Sequence, residues 1–271
     1  MAQPSPRSPA FSSAMFVVEW ASIFAFAATG LYVGSELWSA AGRLGLGILP
    51  ALLGIPMGHV AATLFTGFGH FFSDNFMKVD TPIIGHALIF RFRQHHEDQM
   101  IICRLSFREL NGGLAGILLP FLAIVALFVP ISTTVWGAFV GVSALSMAVF
   151  GAGTNQIHRW AHDAHRPGWV VWLQRNGLAL GPKHHSTHHR APYDVAFCIT
   201  HGALNPLLDK SRFWHHLADL IAALGVHQDP ESVMGWRARA RHAEAARARA
   251  ETTAPEPSLG AAGLSLNAQA P

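Results

Sequence analysis

Four stretches of this chain are long and apolar enough to cross a lipid bilayer, and that pattern fixes the fold class before anything else is considered. A hydrocarbon core about 30 Å thick takes about 20 mostly apolar helical residues to span. Residues 15–34 satisfy this with Glu19 as the one charge, and residues 44–67 do so despite Pro50, Gly54 and Pro56. Membrane helices tolerate such breakers where neighbours satisfy the freed backbone groups. Residues 113–130 and 134–153 follow, joined by Ile131, Ser132 and Thr133. So short a link makes the last two spans an antiparallel hairpin. A content of 51% hydrophobic and only 13% charged residues agrees with this reading. The expectation is an all-α integral membrane protein with four transmembrane helices.

The positive charges test the topology, because Lys and Arg collect on the cytoplasmic side. Of 19 such residues only Arg43 falls beyond the first span; the rest lie in the N-terminal lead, between His70 and Asn111, or after Gly153. His70, His95, His96, His158, His162 and the His184 to His189 cluster are therefore expected on one face, the cytoplasmic one. A net charge of +3 with scattered basic residues and no recognition motif gives no reason to expect nucleic acid as a partner. Cys103 and Cys198 stand apart, so neither a disulfide framework nor a CxxC metal site is expected. The Ala, Gly and Arg bias points to a bacterial inner membrane.

Three regions are expected: a disordered lead over 1–13, a membrane domain over 14–227, and, over 228–271, an Ala/Arg-rich helix (236–251) with a disordered tail. Within the membrane domain, 169–180 is too short to span and reads as an interfacial or re-entrant helix, and 213–224 as another amphipathic segment.

Seventeen histidines against two tyrosines make metal or proton chemistry the leading explanation. His158 and His162 have i,i+4 spacing, and His185, His188 and His189 combine i,i+3 with i,i+4, so each set turns its imidazoles to one side of a helix. His70 and Asp74 share the same spacing. The adjacent His95 and His96 point about 100° apart on a helix. With His184 these make ten candidate ligands: His70, Asp74, His95, His96, His158, His162, His184, His185, His188 and His189. One zinc takes three or four protein ligands, so the surplus points to two metal ions. His59, alone inside a span, reads as a packing residue. A metal transporter would place ligands near the midplane, where only His59 sits.

The neighbours of these histidines carry a resemblance. The run from Thr154 to His162, then Pro167-Gly168-Trp169-Val170, then Lys183-His184-His185-x-x-His188-His189-x-Ala191-Pro192 and Cys198-Ile199-Thr200-x-Gly202-x-Leu204-Asn205, is similar to the plasmanylethanolamine desaturases, the Kua or CarF-type lipid desaturases. Pro82-Ile83-Ile84-Gly85, His95-His96-x-Asp98 and Asn111-Gly112 agree too. The resemblance implies a di-iron centre, O2 as co-substrate, and electrons from a ferredoxin- or cytochrome b5-type donor with its reductase. It implies desaturation of the C1–C2 bond of the sn-1 alkyl chain of plasmanylethanolamine, giving a vinyl ether. Asn155, Gln156 and Asp98 are expected to support the ligands, and Arg91, Arg93, Arg104 and Arg108 to hold the phosphate of the lipid head group. The chain departs from the animal enzymes at Phe71 and at Leu105, where they carry tryptophan and histidine. The alternatives are an acyl-chain desaturase of another phospholipid such as phosphatidylglycerol, a di-iron lipid hydroxylase and, more remotely, a metal-binding transport protein.

Overall fold

The computed structural model describes residues 9–82, 84–85, 89–229 and 232. Among these residues there are helices and no strands. Four helices are long and apolar enough to cross a membrane: α1 (Pro9–Leu44), α2 (Leu49–Asn75), α5 (Phe107–Phe128) and α6 (Val135–Ala152). Between α2 and α5 lie the short α3 (Phe90–Glu97) and α4 (Ile101–Arg104). After α6 come α7 (Thr154–His162), α8 (Gly168–Arg175), α9 (Pro182–His188), α10 (Asn205–Lys210) and α11 (Phe213–Ala223).

The helix ends follow local chemistry. Ser106 and Glu109 form a reciprocal capping box at the start of α5, the S-x-x-E pattern that satisfies two orphan backbone donors. Thr134 accepts the amide of Gly137 at the start of α6. α8 ends five residues before the expected limit at 180, because the left-handed backbone of Gly177 (φ 71°) terminates it.

The bundle is two close pairs, α2 against α6 and α1 against α5. The first pair is built on small residues. A Cβ at Gly58 would lie 2.2 Å from the Ser143 carbonyl oxygen, and Ser146 donates across the interface to the carbonyl of Ile55 at 2.8 Å. Small side chains and interhelical hydrogen bonds are what bring membrane helices into contact, since lipid tails remove the hydrophobic drive between them. Val33, Leu122, Val125, Ile131, Ala144 and Ala148 fill the centre. A second core of Phe71, Phe197, Cys198, Trp214 and Ala218 packs α11 beneath the loop after α9.

Several boundaries differ from the sequence reading. α1 starts at Pro9, so residues 9–13 of the expected lead are helical, and Arg43 closes that helix instead of lying in a loop. α2 continues past residue 67 to Asn75, because its polar last turns are buried by the elements that cover them. Asp229 and Ser232 are buried as well, with Arg93 donating to Asp229 at 2.7 Å. Residues 1–8 and the helix and tail expected over 236–271 lie outside the described residues.

Gly58→Val should cost about 1–3 kcal/mol of stability by overpacking the α2–α6 contact, read as a lowered melting temperature of the purified protein in detergent. Gly69→Ala, where a Cβ meets nothing within 4 Å, is the control expected to leave it unchanged.

Candidate metal centre

The metal candidates sit at the ends of two of the long apolar helices. α2 ends in His70 and Asp74, while Gly153 keeps near-helical geometry (φ −77°, ψ −8°) and lets α6 run on into α7, which carries His158 and His162. α3 brings His95 and His96 over them, and α9 brings His185, His188 and, just past its end, His189.

Nine of the ten residues gather into two groups, in each of which the potential ligand atoms lie within 4.8 Å of one another. One is five imidazoles: His95, His158, His162, His185 and His189. The other is His70, His96 and His188 around Asp74. The 100° between adjacent helical residues, which counts against two neighbours sharing one ion, here serves two: His95 faces the first group and His96 the second. His189 and His188 repeat the division.

Hydrogen bonding cannot account for these contacts. Nε2 of His185 lies 2.8 Å from Nε2 of His158, of His162 and of His189. A neutral ring nitrogen carries one hydrogen or one lone pair, so three such approaches to one atom cannot all be hydrogen bonds. In the second group Asp74 Oδ2 is 3.2 Å from Nε2 of His70 and 3.3 Å from Nε2 of His188. Both carboxylate oxygens and both of those nitrogens are nevertheless buried without a hydrogen bond. Orphaned lone pairs aimed at a common point are the donor set of a transition-metal site.

The far sides of three rings are fixed. Nδ1 of His188 bonds the carbonyl of Val195 at 2.8 Å and Nδ1 of His70 that of Phe197 at 3.2 Å. Nδ1 of His95 bonds the carbonyl of Phe92. A carbonyl accepts only, so each ring is protonated on Nδ1 and presents the Nε2 lone pair inward. Burial, reinforced by neighbouring imidazoles, holds His95, His185 and His189 well below the ordinary histidine pKa, which keeps these three neutral at neutral pH.

The two ligand-bearing helices are tied together one turn below the rings. Thr200 Oγ1 lies 3.0 Å from Thr66 Oγ1 on α2 and 2.9 Å from Thr154 Oγ1 on α7, and all three are buried. Thr66 and Thr154 each precede a ligand, His70 and His158, by four residues.

His184 departs from the expected set. Its Nε2 accepts from the amide of Asn205 at 2.8 Å, because Asn205 is held in place by both backbone groups of Cys198. Asp98 pairs with Arg104 on the surface and accepts the amide of Met100 instead of supporting a ring. Asn155 donates to the Leu110 carbonyl at 2.7 Å, and Gln156 lies on α7 outside both groups. His59 stacks on Phe150 at 3.9 Å and meets the edge of His201 at 4.4 Å, apart from either group.

Beside the first group lies a cavity of about 540 Å³ between α1, α3 and α5, within the size range of ligand sites. His95 and His158 form part of its wall, as do Ile101, Ile102, Leu105, Leu114 and Ile117. Three glycines of α5, Gly112, Gly113 and Gly116, also line it, and Gly113 has nothing within 4 Å of its Cβ position; the G-G-x-x-G spacing was the available sequence signal for this face. Of the four arginines expected at a head group, only Arg91 lines the cavity. Arg108 is beside it, paired with Glu19. Arg93 is engaged by Asp229 and the carbonyls of Ser73 and Met77, and Arg104 by Asp98.

Known proteins share this sequence. The profile of the lipid desaturase domain matches residues 59–230. The chain is 35% identical over 234 residues to a plasmanylethanolamine desaturase of Myxococcus xanthus, covering 85% of this chain and 80% of that protein. It is 38% identical over 193 residues to plasmanylethanolamine desaturase 1 of Mus musculus, covering 68% and 70%. It is 33% identical over 170 residues to the chloroplastic fatty acid desaturase 4 of Arabidopsis thaliana, covering 62% and 50%. No solved structure matches.

In the metal-free protein, the depressed histidines stay neutral where the unfolded chain, with histidine near 6.5, takes up protons. The unfolded state then binds more protons below that pH, so stability falls on acidification. Thermal melts at pH 7.5 and 5.5 should show the lower melting temperature at pH 5.5.

Proposed function

The chain belongs to the lipid desaturase family, and from that premise we propose that it forms the plasmalogen vinyl ether by O2-dependent 1,2-desaturation of the sn-1 alkyl chain of plasmanylethanolamine. As a family member it is an oxidoreductase acting on membrane lipid, and a multi-pass membrane protein. Two iron ions would be held, one by His95, His158, His162, His185 and His189, the other by His70, Asp74, His96 and His188.

Bound iron supplies the oxidising chemistry, O2 leaving as two waters when two hydrogens from the chain, two electrons from a ferredoxin- or cytochrome b5-type donor with its reductase, and two protons are combined. The protein's own groups do the rest. Carbonyls of Val195, Phe197 and Phe92 hold three rings with Nε2 inward, and Asp74 supplies the one carboxylate among the nine donors.

The observation that carries the reading is the single cavity shared by ligand rings, apolar walls and charged groups. C1 and C2 of an sn-1 alkyl chain lie next to the glycerol, so a site for that bond must hold polar groups close to the metal. Arg91 precedes His95 by one turn of α3, about 6 Å along the axis, and both line the cavity. Apolar residues of α1 and α5 accept the rest of the chain and keep water from the ligand rings. Leu105 adds to this apolar wall and is the residue that favours the second reading, an acyl-chain desaturase of another phospholipid. The gathering of positive charge at the metal-bearing end supports a cytoplasmic site, in a bacterial inner membrane.

Expression in a cell that makes alkyl ether lipids but lacks the desaturase should yield acid-labile vinyl ethers by lipidomics. Their absence with iron bound and a reductase present overturns the ether assignment, and new acyl unsaturation or a hydroxylated chain establishes an alternative. Elemental analysis should give two irons per chain, and His185→Ala or Asp74→Ala should each lower the count; one zinc per chain would refute the centre. Gly113→Phe, at a position where a Cβ meets nothing within 4 Å, should block the cavity and lower turnover by about tenfold or more, with the iron content of wild type.

A further inference from the structure

Among the described residues, the charged group at the cavity holds both signs in equal number, with Glu19, Arg91 and Glu109 on the wall and Arg108 beside it. Glu19 on α1 is only 4% exposed although it lies in a spanning helix, where an ionisable residue marks function by default. Arg108 bonds it directly, and Arg91 Nη1 approaches it at 4.0 Å. Glu109 completes the group: its Oε1 lies 3.8 Å from Arg91 and 4.0 Å from Arg108, neither within hydrogen-bonding distance, while its Oε2 accepts from the Ser106 hydroxyl and amide in the capping box. Arg91 Nη1 also donates to the Glu109 carbonyl at 3.0 Å, which fixes α3 against the start of α5.

Two guanidinium groups and two carboxylates sum to zero. A net-neutral site with separated signs gains little from an added anion, whose charge meets two carboxylates as well as two cations. It complements a ligand that carries both signs. Glu19 is buried under Arg108, whereas Glu109 is about one third exposed and keeps one oxygen turned toward the guanidinium groups. That oxygen is the acceptor available to a cation arriving in the cavity.

We propose that Glu109 is a specificity-determining residue that reads the ammonium of a zwitterionic phospholipid head group while Arg91 takes its phosphate, so that the cavity selects phosphoethanolamine over phosphoglycerol lipids. This rests on the reading of the cavity as the lipid site. A primary ammonium offers three N–H donors to a carboxylate, and such charge-assisted bonds are the strong ones; a trimethylammonium offers none. The order of preference is therefore phosphoethanolamine, then phosphocholine, then phosphoglycerol.

The test uses the iron-loaded full-length protein in detergent with short-chain alkyl ether phospholipids differing only in head group, reading equilibrium binding and product separately. Wild type should bind the phosphoethanolamine lipid about tenfold or more tighter than the phosphoglycerol lipid, with affinity falling stepwise through the N-methyl and N,N-dimethyl lipids to phosphocholine. In Glu109→Gln, whose amide still closes the capping box, the ratio should collapse from both ends: ethanolamine binding weakens and phosphoglycerol binding strengthens. The methylation series needs no variant, so it decides the matter even where Glu109→Gln does not fold. Equal binding of the three head groups, a flat methylation series, or an unchanged ratio in a folded Glu109→Gln overturns the proposal. Selective binding without vinyl ether formation sinks the reaction assigned above and leaves the head-group site standing. Vinyl ether formation with equal binding of all heads does the reverse.

Discussion

The structure depends on nine candidate ligand atoms gathered into two groups, in each of which they lie within 4.8 Å of one another. Eight of the nine are imidazole nitrogens, most of them taken out of solvent, with lone pairs facing one another and only Asp74 to offset them. Stripping polar atoms of hydrogen bonds costs several kcal/mol each in an apolar setting, so such a cluster persists only as a site for cations. Much of the remaining structure serves to hold it. α2 and α6–α7 carry the candidate ligands on long helices, Thr200 ties the two helices to each other, and the loop from Val195 to Thr200 supplies two of the three carbonyls that set the tautomers. That loop is in turn pinned by Asn205 and by the aromatic core around Trp214.

The position of the cavity follows from a different economy of side chains. α1 is mostly exposed to lipid and meets α5 across a face where Gly112 and Gly116 admit close approach: a Cβ at Gly112 would sit 2.6 Å from Glu19. Next to this contact Gly113 has nothing opposite it, and the space it leaves runs to His95 and His158. Close contact and open channel thus alternate along one helix face, and the charges at residues 19, 91, 108 and 109 lie where the two meet.

The spans and the candidate ligands were legible because both rest on local rules: about 20 apolar residues for a helix that crosses, and i,i+4 spacing for rings that share a face. The division of those ligands was not. Nothing in His95-His96 or His188-His189 tells which ring belongs to which group until the folded chain sets one ring of each pair in each group. His184 was indistinguishable from its neighbours in sequence, because its exclusion is decided by Asn205, 21 residues away. The helix ends failed for the same reason: the turns of α2 from His70 to Asn75 are too polar for lipid, yet protein covers them. Arginines expected at a head group had partners in Asp229, Asp98 and Glu19, acidic residues whose proximity no spacing rule reveals.

The paired histidines have a mechanical consequence. A single peptide bond joins His95 to His96, and another joins His188 to His189, so the two groups share backbone in two places. With metal bound in both groups, a shift of one histidine of a pair would bear on the orientation of the other through the backbone they share. Two ions bound there would not be independent tenants, because the two candidate sites share backbone at both histidine pairs.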